Sequence, residues 1–220
     1  MYKAIAIFLL IVTLGSCEDS IKFEEPQPPN QNDLKLIPKK LRGSYQSTTD
    51  STYLKIDERT IVDWTDIEFM TLVDSLENEI DSTKIVREST NYIEVIDGNV
   101  NLNFRLFGDS VLVRASLRDT LFEISETHIL RRFKGHYFLN YKRSDANWKV
   151  RRLTLSKKEL SFSMVRKPED IETLKEVTEV KEIKSDSGKV TGYKLKPSRK
   201  ELKRLMKLSF TETKTYIKLQ

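Results

Sequence analysis

The feature that most constrains the fold of this 220-residue chain is an alternation of apolar and polar residues with period two. The clearest alternating runs cover residues 53–64, 91–113 and 148–164. Such alternation is typical of antiparallel strands that bury one face. The dipeptides Asp97-Gly98 and Gly108-Asp109 separate neighbouring runs and predict hairpin turns. The sequence therefore predicts a mainly antiparallel β protein.

Helical signals interrupt this pattern in three places, so the predicted class is α+β. Residues 66–78 carry apolar side chains at helical spacing, and Pro168 with the acidic residues after it is typical of a helix start. Ser198 and Glu201 form a capping box that opens a third helix. The apolar face of that helix is Leu202, Leu205 and Met206.

An internal repeat organises the predicted strands. Residues 41–45 resemble 133–137, residues 54–61 resemble 153–160, and residues 122–129 resemble 210–217, in the same order. We therefore predict two repeated β-rich modules, residues 34–132 and 133–220, each with a short helix. Two unrelated β segments of similar patterning are the alternative.

A Gly-x-Tyr element opens each copy, with Gly43 before Tyr45 and Gly135 before Tyr137. This element resembles the first strand of small lipocalin-like barrels, in which the aromatic residue is usually Trp. The resemblance implies a barrel for each module. An open sheet covered by a helix is the alternative architecture.

The amino terminus has the order of an export signal. A basic start at Lys3 is followed by the apolar run 4–14, which is too short to span a bilayer. The segment Leu14-Gly15-Ser16-Cys17 resembles the lipobox of bacterial lipoproteins. That resemblance implies that residues 1–16 are a cleaved signal peptide and that Cys17 carries the lipid, which makes membrane attachment effectively permanent. A plain signal peptide with an incidental Cys is the alternative.

The residues after Cys17 predict where the protein is held. Glu18 and Asp19 resemble the signal that sends lipoproteins to the cell surface in one group of Gram-negative bacteria. The Pro-rich composition of residues 20–32 predicts that 17–33 is a flexible tether. We expect a lipid-anchored protein of the bacterial cell envelope, at the outer membrane.

Charge is divided unevenly along the chain. Residues 18–130 hold 12 Lys/Arg and 22 Asp/Glu, whereas residues 131–220 hold 25 and 11, so the net charges are −10 and +14. The basic module either attracts the acidic one or faces an anionic partner. The third predicted helix would align four cations on one face, which are candidate contacts for an anionic envelope ligand: Lys200, Lys203, Arg204 and Lys207.

Motifs for catalysis or nucleic-acid binding are missing from the sequence. It contains no Gly-x-Ser-x-Gly elbow and no P-loop, and its single Cys excludes an internal disulfide and a metal site with several Cys ligands. His128 and His136 lack metal-ligand spacing and are interpreted as half-buried strand residues. Asp63, Asp66 and Glu68 form an acidic cluster that is a weak calcium candidate.

These observations predict a function without a cofactor and without a resident metal. We expect a non-enzymatic binding module that is anchored in the membrane and contacts an envelope protein or an anionic envelope ligand, and no nucleic acid. The alternative is a hydrolase of envelope polymer that uses the carboxylates between Asp63 and Glu68.

Overall fold

The computed structural model describes residues 21–75, 83, 85–89, 91–165, 171–208 and 210–219. Within them the chain forms fifteen strands, mostly antiparallel, and two short α-helices, which confirms the α+β, mainly β class. Neither helix is long and apolar enough to cross a bilayer.

The strands are β1 (Ile21–Phe23), β2 (Gly43–Ser47), β3 (Thr52–Ile56), β4 (Thr60–Leu72), β5 (Ile85–Ser89), β6 (Tyr92–Asp97), β7 (Val100–Phe107), β8 (Ser110–Glu123), β9 (His128–Phe133), β10 (His136–Lys142), β11 (Trp148–Ser156), β12 (Glu159–Val165), β13 (Val180–Lys184), β14 (Val190–Leu195) and β15 (Phe210–Lys218). The helices are α1 (Ile171–Lys175) and α2 (Arg199–Leu208), and short 3₁₀ turns cover Lys39–Leu41 and Val73–Ser75.

The described residues divide into two compact units that interleave along the chain. Unit one takes the residues up to Leu34 together with Glu126–Thr154 and Phe162–Thr213. Unit two takes Lys35–Ser125, Leu155–Ser161 and the residues from Lys214 onward. The division into domains 34–132 and 133–220 stays a prediction.

Unit one contains a sheet in which β13, β14, β1, β11 as far as Thr154, and β12 from Phe162 are successive neighbours, while β10 pairs with the other side of β11 and β9 with β10. Its core takes residues from the strands and from both helices, including Phe23, Phe138, Leu174, Leu202 and Leu205. The apolar face predicted for the third helix is confirmed for Leu202 and Leu205, which are fully buried.

Unit two contains β15 from Lys214 onward, followed in the sheet by β2, β3, β4, β8, β7, β6 and β5, all paired antiparallel where the register is defined. The phenol of Tyr45 is buried and donates a hydrogen bond to the carbonyl of Leu41 at 2.7 Å. The predicted turns are confirmed, since Asp97 pairs with Val100 and Phe107 pairs with Ser110. A separate small cluster at the β5 side contains Val95, Phe104, Val111 and Val113.

The prediction that residues 17–33 form a flexible tether is wrong for the described part of that segment. Strand β1 pairs parallel with β14 and antiparallel with β11, and Phe23 is 1% exposed. Gln27, Pro28 and Pro29 are buried as well. The prediction from the Pro-rich composition failed because Ile21 and Phe23 supply enough apolar surface to join a core. The described fold therefore begins at Ile21 rather than near Leu34.

The helix predicted for residues 66–78 is also wrong over its first half. Residues 66–72 continue β4 and pair in register with β8 from Asp66 opposite Ser116 to Leu72 opposite Ser110. The apolar residues of this stretch lie on both faces of the strand, which mimics helical spacing. Residues 76–78 of the prediction lie outside the described residues.

The two Gly-x-Tyr elements have different local settings. Gly43 and Gly135 both have positive φ, but Gly43 is the first residue of β2, whereas Gly135 forms with Lys134 the two-residue turn between β9 and β10. A turn with two positive φ values matches the twist of a hairpin. The repeat is therefore not confirmed and stays a prediction.

Candidate functional site

Helix α2 presents the predicted cationic face to solvent. Ser198 caps the helix, because Glu201 N–H donates to Ser198 Oγ at 3.3 Å and Ser198 N–H donates to Glu201 Oε2 at 2.7 Å. Arg152 Nη1 donates to the Met206 carbonyl at 2.7 Å, which satisfies a backbone acceptor of the last turn. Leu202 and Leu205 are buried on the inner side of the helix. The cap and these contacts fix the position of its exposed face.

The four predicted cations are all exposed: Lys200, Lys203, Arg204 and Lys207. Their spacing of three, four and seven residues places them on one face of the helix. None of the four forms an ion pair with a described carboxylate. The face is therefore a concentrated positive surface that suits an anionic ligand.

A second cationic group lies on the sheet of unit one, and the sequence analysis missed it. Lys181 Nζ lies 3.0 Å from Glu24 Oε1, and Lys196 Nζ lies 3.7 Å from Glu24 Oε2. Lys194 lies opposite Lys181 in the β13–β14 register. The hydrogen bond from Lys181 and the charges of all three lysines lower the pKa of Glu24.

The acidic cluster predicted from Asp63, Asp66 and Glu68 does not converge. Asp66 and Glu68 share one face of β4, while Asp63, an odd number of positions away, lies on the other face. Ser116 Oγ donates to Asp66 Oδ1 at 2.6 Å, and Arg114 Nε donates to Glu68 Oε2. Each of these two carboxylates is thus engaged with a residue of the neighbouring strand β8.

The sheet face that carries Asp66 and Glu68 continues as a row of polar side chains on β7 and β6. Asn103 Nδ2 donates to Asn101 Oδ1 at 2.9 Å, and Asn101 Nδ2 donates to Glu94 Oε1 at 3.1 Å. The Tyr92 hydroxyl donates to Asn103 Oδ1. A shallow cavity of about 360 Å³ is lined by Tyr92, Asn103, Arg105, Leu112 and Arg114.

A sequence signal for this polar row existed. Asn is disfavoured in strands, and two Asn residues at spacing two inside one strand place both amides on one face. The row offers donors and acceptors in nearly balanced charge, with Glu68 and Arg114 paired to each other.

The two histidines lie apart on the β9–β10 hairpin. His136 Nδ1 is 2.8 Å from Thr154 Oγ1, and the His128 ring packs against Tyr141 with centroids 5.2 Å apart. Both side chains are half-buried, as interpreted from the sequence. Burial, followed by the charge of Arg152, lowers the pKa of His136. Over the described part of the chain, no group of three or more His, Cys, Asp or Glu side chains is arranged to hold a metal ion.

The lipid site and the signal peptide lie outside the described residues, namely Cys17 and residues 1–16. Comparisons with protein-family models, with curated proteins and with solved structures found no match to this chain.

Proposed function

We propose that this chain is a lipoprotein of the bacterial cell envelope, anchored at the outer membrane through Cys17, and that it acts as a non-enzymatic binding module. The order of basic start, apolar run and Leu14-Gly15-Ser16-Cys17 carries the anchoring part of the proposal. Because two or three acyl chains bury many methylene groups, the anchored protein stays at the membrane.

The cationic face of α2 is the proposed contact for the partner, an envelope protein or an anionic envelope ligand. The observation that supports it is an exposed row on a helix that is capped and packed, and its members form no ion pair with a carboxylate in the described part of the chain: Lys200, Lys203, Arg204 and Lys207. A rigid cationic surface binds anions without first losing the conformational freedom of a mobile segment. Phosphate groups of phospholipid or lipopolysaccharide, and acidic glycans, match this chemistry.

Anchoring is tested by labelling with a fatty-acid analogue in a bacterial host. The wild-type chain is expected to incorporate the label and to be shortened by the signal peptide, whereas Cys17→Ser is expected to do neither at this position. Lipid label retained by Cys17→Ser would contradict the anchoring proposal.

Binding is tested with a variant in which Lys200, Lys203, Arg204 and Lys207 are all replaced by Gln. A matched variant removes four exposed lysines elsewhere, with Gln at Lys39, Lys55, Lys157 and Lys158. Adsorption to lipopolysaccharide across a salt series is expected to weaken, and its salt dependence to flatten, only in the α2 variant. Equal adsorption of the two variants would remove α2 from the proposed function.

A further inference from the structure

Three lysines of unit one lie near the carboxylate of Glu24, on the sheet that contains the first described strand. We call Lys181, Lys194 and Lys196 the lysine cluster, and Glu24 is its central acid. Strand β1 places Lys22 opposite Lys194, and β13 places Lys181 opposite the same residue. Glu24 accepts a hydrogen bond from Lys181 Nζ at 3.0 Å and lies 3.7 Å from Lys196 Nζ.

The lysine cluster is not explained by stabilisation of the sheet. Like charges directly opposite each other on neighbouring strands are destabilising, and Lys194 faces a lysine on both sides. Asp145 offsets Lys22 at 2.9 Å, Glu24 offsets one charge of the lysine cluster, and Glu179, 3.6 Å from Lys181 Nζ, offsets a second. One positive charge of the lysine cluster remains. The side chains of Lys181 and Lys196 are 52% and 57% exposed, so an external anion reaches them directly.

The net charge of unit one is also positive. Its segments 21–34, 126–154 and 162–213 hold 22 Lys/Arg and 14 Asp/Glu, a net charge of +8. Electrostatic attraction to an anionic surface therefore acts on the unit as well as on the lysine cluster.

The lysine cluster lies a short distance from Cys17, the proposed lipid anchor. Lys22 follows Cys17 by five residues, and an extended chain spans at most roughly 3.6 Å per residue, so the two lie within about 18 Å. Neighbouring strands are about 4.8 Å apart, which places the backbone of Lys194 within roughly 23 Å of Cys17. Because β1 is built into the sheet, a lipid on Cys17 restricts this part of unit one to the zone beside the bilayer.

We propose, on the basis of the lipid attachment argued above, that the lysine cluster docks unit one on the anionic phospholipid headgroups of the membrane that holds the anchor. The ammonium groups donate to phosphate oxygens, and each lysine near an anionic bilayer strengthens the attraction about fivefold. Docking orients the unit on the membrane.

The test uses the lipidated full-length protein in vesicles of phosphatidylcholine alone or of phosphatidylcholine with phosphatidylglycerol. Acetylation of each lysine is followed by mass spectrometry. The rates at Lys181, Lys194 and Lys196 are expected to fall several-fold only in the vesicles with phosphatidylglycerol, and high salt is expected to restore them. Lys134, in the exposed turn between β9 and β10, is the internal control.

A second variant tests the charge balance without replacing any lysine. Glu24→Gln removes the central acid, so protection of Lys181 and Lys196 is expected to persist to higher salt than in the wild type. Glu126→Gln, at an exposed position of the same unit, is expected to leave the salt dependence unchanged.

The outcomes separate this inference from the proposed function. Co-flotation with both vesicle types and an intact mass that includes acyl chains establish anchoring independently of the lysines. An anchored protein whose acetylation rates are equal in both vesicles overturns the docking and leaves the lipid anchor standing. A chain without acyl mass and without co-flotation overturns both.

Discussion

Asn140 and Gln27 form a buried pair of hydrogen bonds within unit one. Gln27 N–H donates to Asn140 Oδ1 at 2.6 Å, and Asn140 Nδ2 donates to the Gln27 carbonyl at 2.9 Å. Both residues are fully buried. The pair fastens the segment that follows β1 to strand β10, because both backbone polar groups of Gln27 are satisfied by one side chain.

Asn140→Leu is expected to destabilise the protein by about 2–4 kcal/mol, because it leaves the buried N–H and carbonyl of Gln27 without this partner. The measurement is urea unfolding followed by circular dichroism. Asn32→Leu is the control, since Asn32 is exposed and its replacement is expected to change the free energy of unfolding by no more than about 0.5 kcal/mol. Equal unfolding midpoints for the two variants would contradict the role given to the pair.

The capping box of α2 makes a separate contribution. Ser198→Ala removes the acceptor of the Glu201 N–H and is expected to lower the free energy of unfolding by about 1 kcal/mol. Ser198→Thr keeps a hydroxyl at the cap and is expected to restore most of the loss. Thermal unfolding of the three proteins distinguishes a cap effect from a simple change of side-chain volume, for which Thr would not rescue.

The features that were predicted correctly from the sequence are local ones. Each depends on only a few neighbouring residues and can therefore be predicted without tertiary information: the turns at Gly98 and Gly108 and the capping box at Ser198. Strand β1 has only three residues, and its partners lie more than 120 positions away. No local pattern reveals it.

The cationic face of α2 is local in sequence, whereas the lysine cluster is not. The α2 face was predicted because all four cations belong to one helix. The lysine cluster joins Glu24 to Lys181 across 157 positions, so only the sheet order brings its members together. The helix predicted for 66–78 failed for a related reason, because pairing with β8 outweighs an ambiguous apolar spacing.

His136 is expected to make stability depend on pH near neutrality. Its pKa in the folded protein lies below the usual 6.5 because of burial and the nearby charge of Arg152. The folded state therefore resists protonation, so stability is complete above about pH 6.5 and falls as the pH drops toward the lowered pKa. In His136→Gln this part of the pH dependence is expected to disappear in unfolding experiments between pH 7.5 and 5, whereas an unchanged slope would assign it to other groups.

Asp50 is expected to contribute a second, more acidic dependence. Partial burial raises its pKa, but hydrogen bonds from the Thr52 backbone and side chain and from Lys214 outweigh burial and hold the pKa well below its usual value. Thr52 N–H lies 2.9 Å from Asp50 Oδ1, and Lys214 Nζ lies 3.0 Å from Asp50 Oδ2. Because the folded pKa is depressed, the stabilisation is present above the unfolded pKa of about 3.8 and is lost as the pH falls below it.

Asp50→Ala is therefore expected to be less stable than the wild type at neutral pH, and the difference is expected to shrink as the pH falls below about 3.8, because the wild-type carboxylate then protonates as well. Half of the Asp50 side chain is exposed, so solvent screening keeps the effect modest. The measurement is the free energy of unfolding in urea at a series of pH values. Asp186→Ala, at an exposed position in the turn between β13 and β14, is expected to follow the wild type at every pH. A difference between Asp50→Ala and the wild type that stays constant down to the lowest pH would show that the side chain stabilises its turn without its charge.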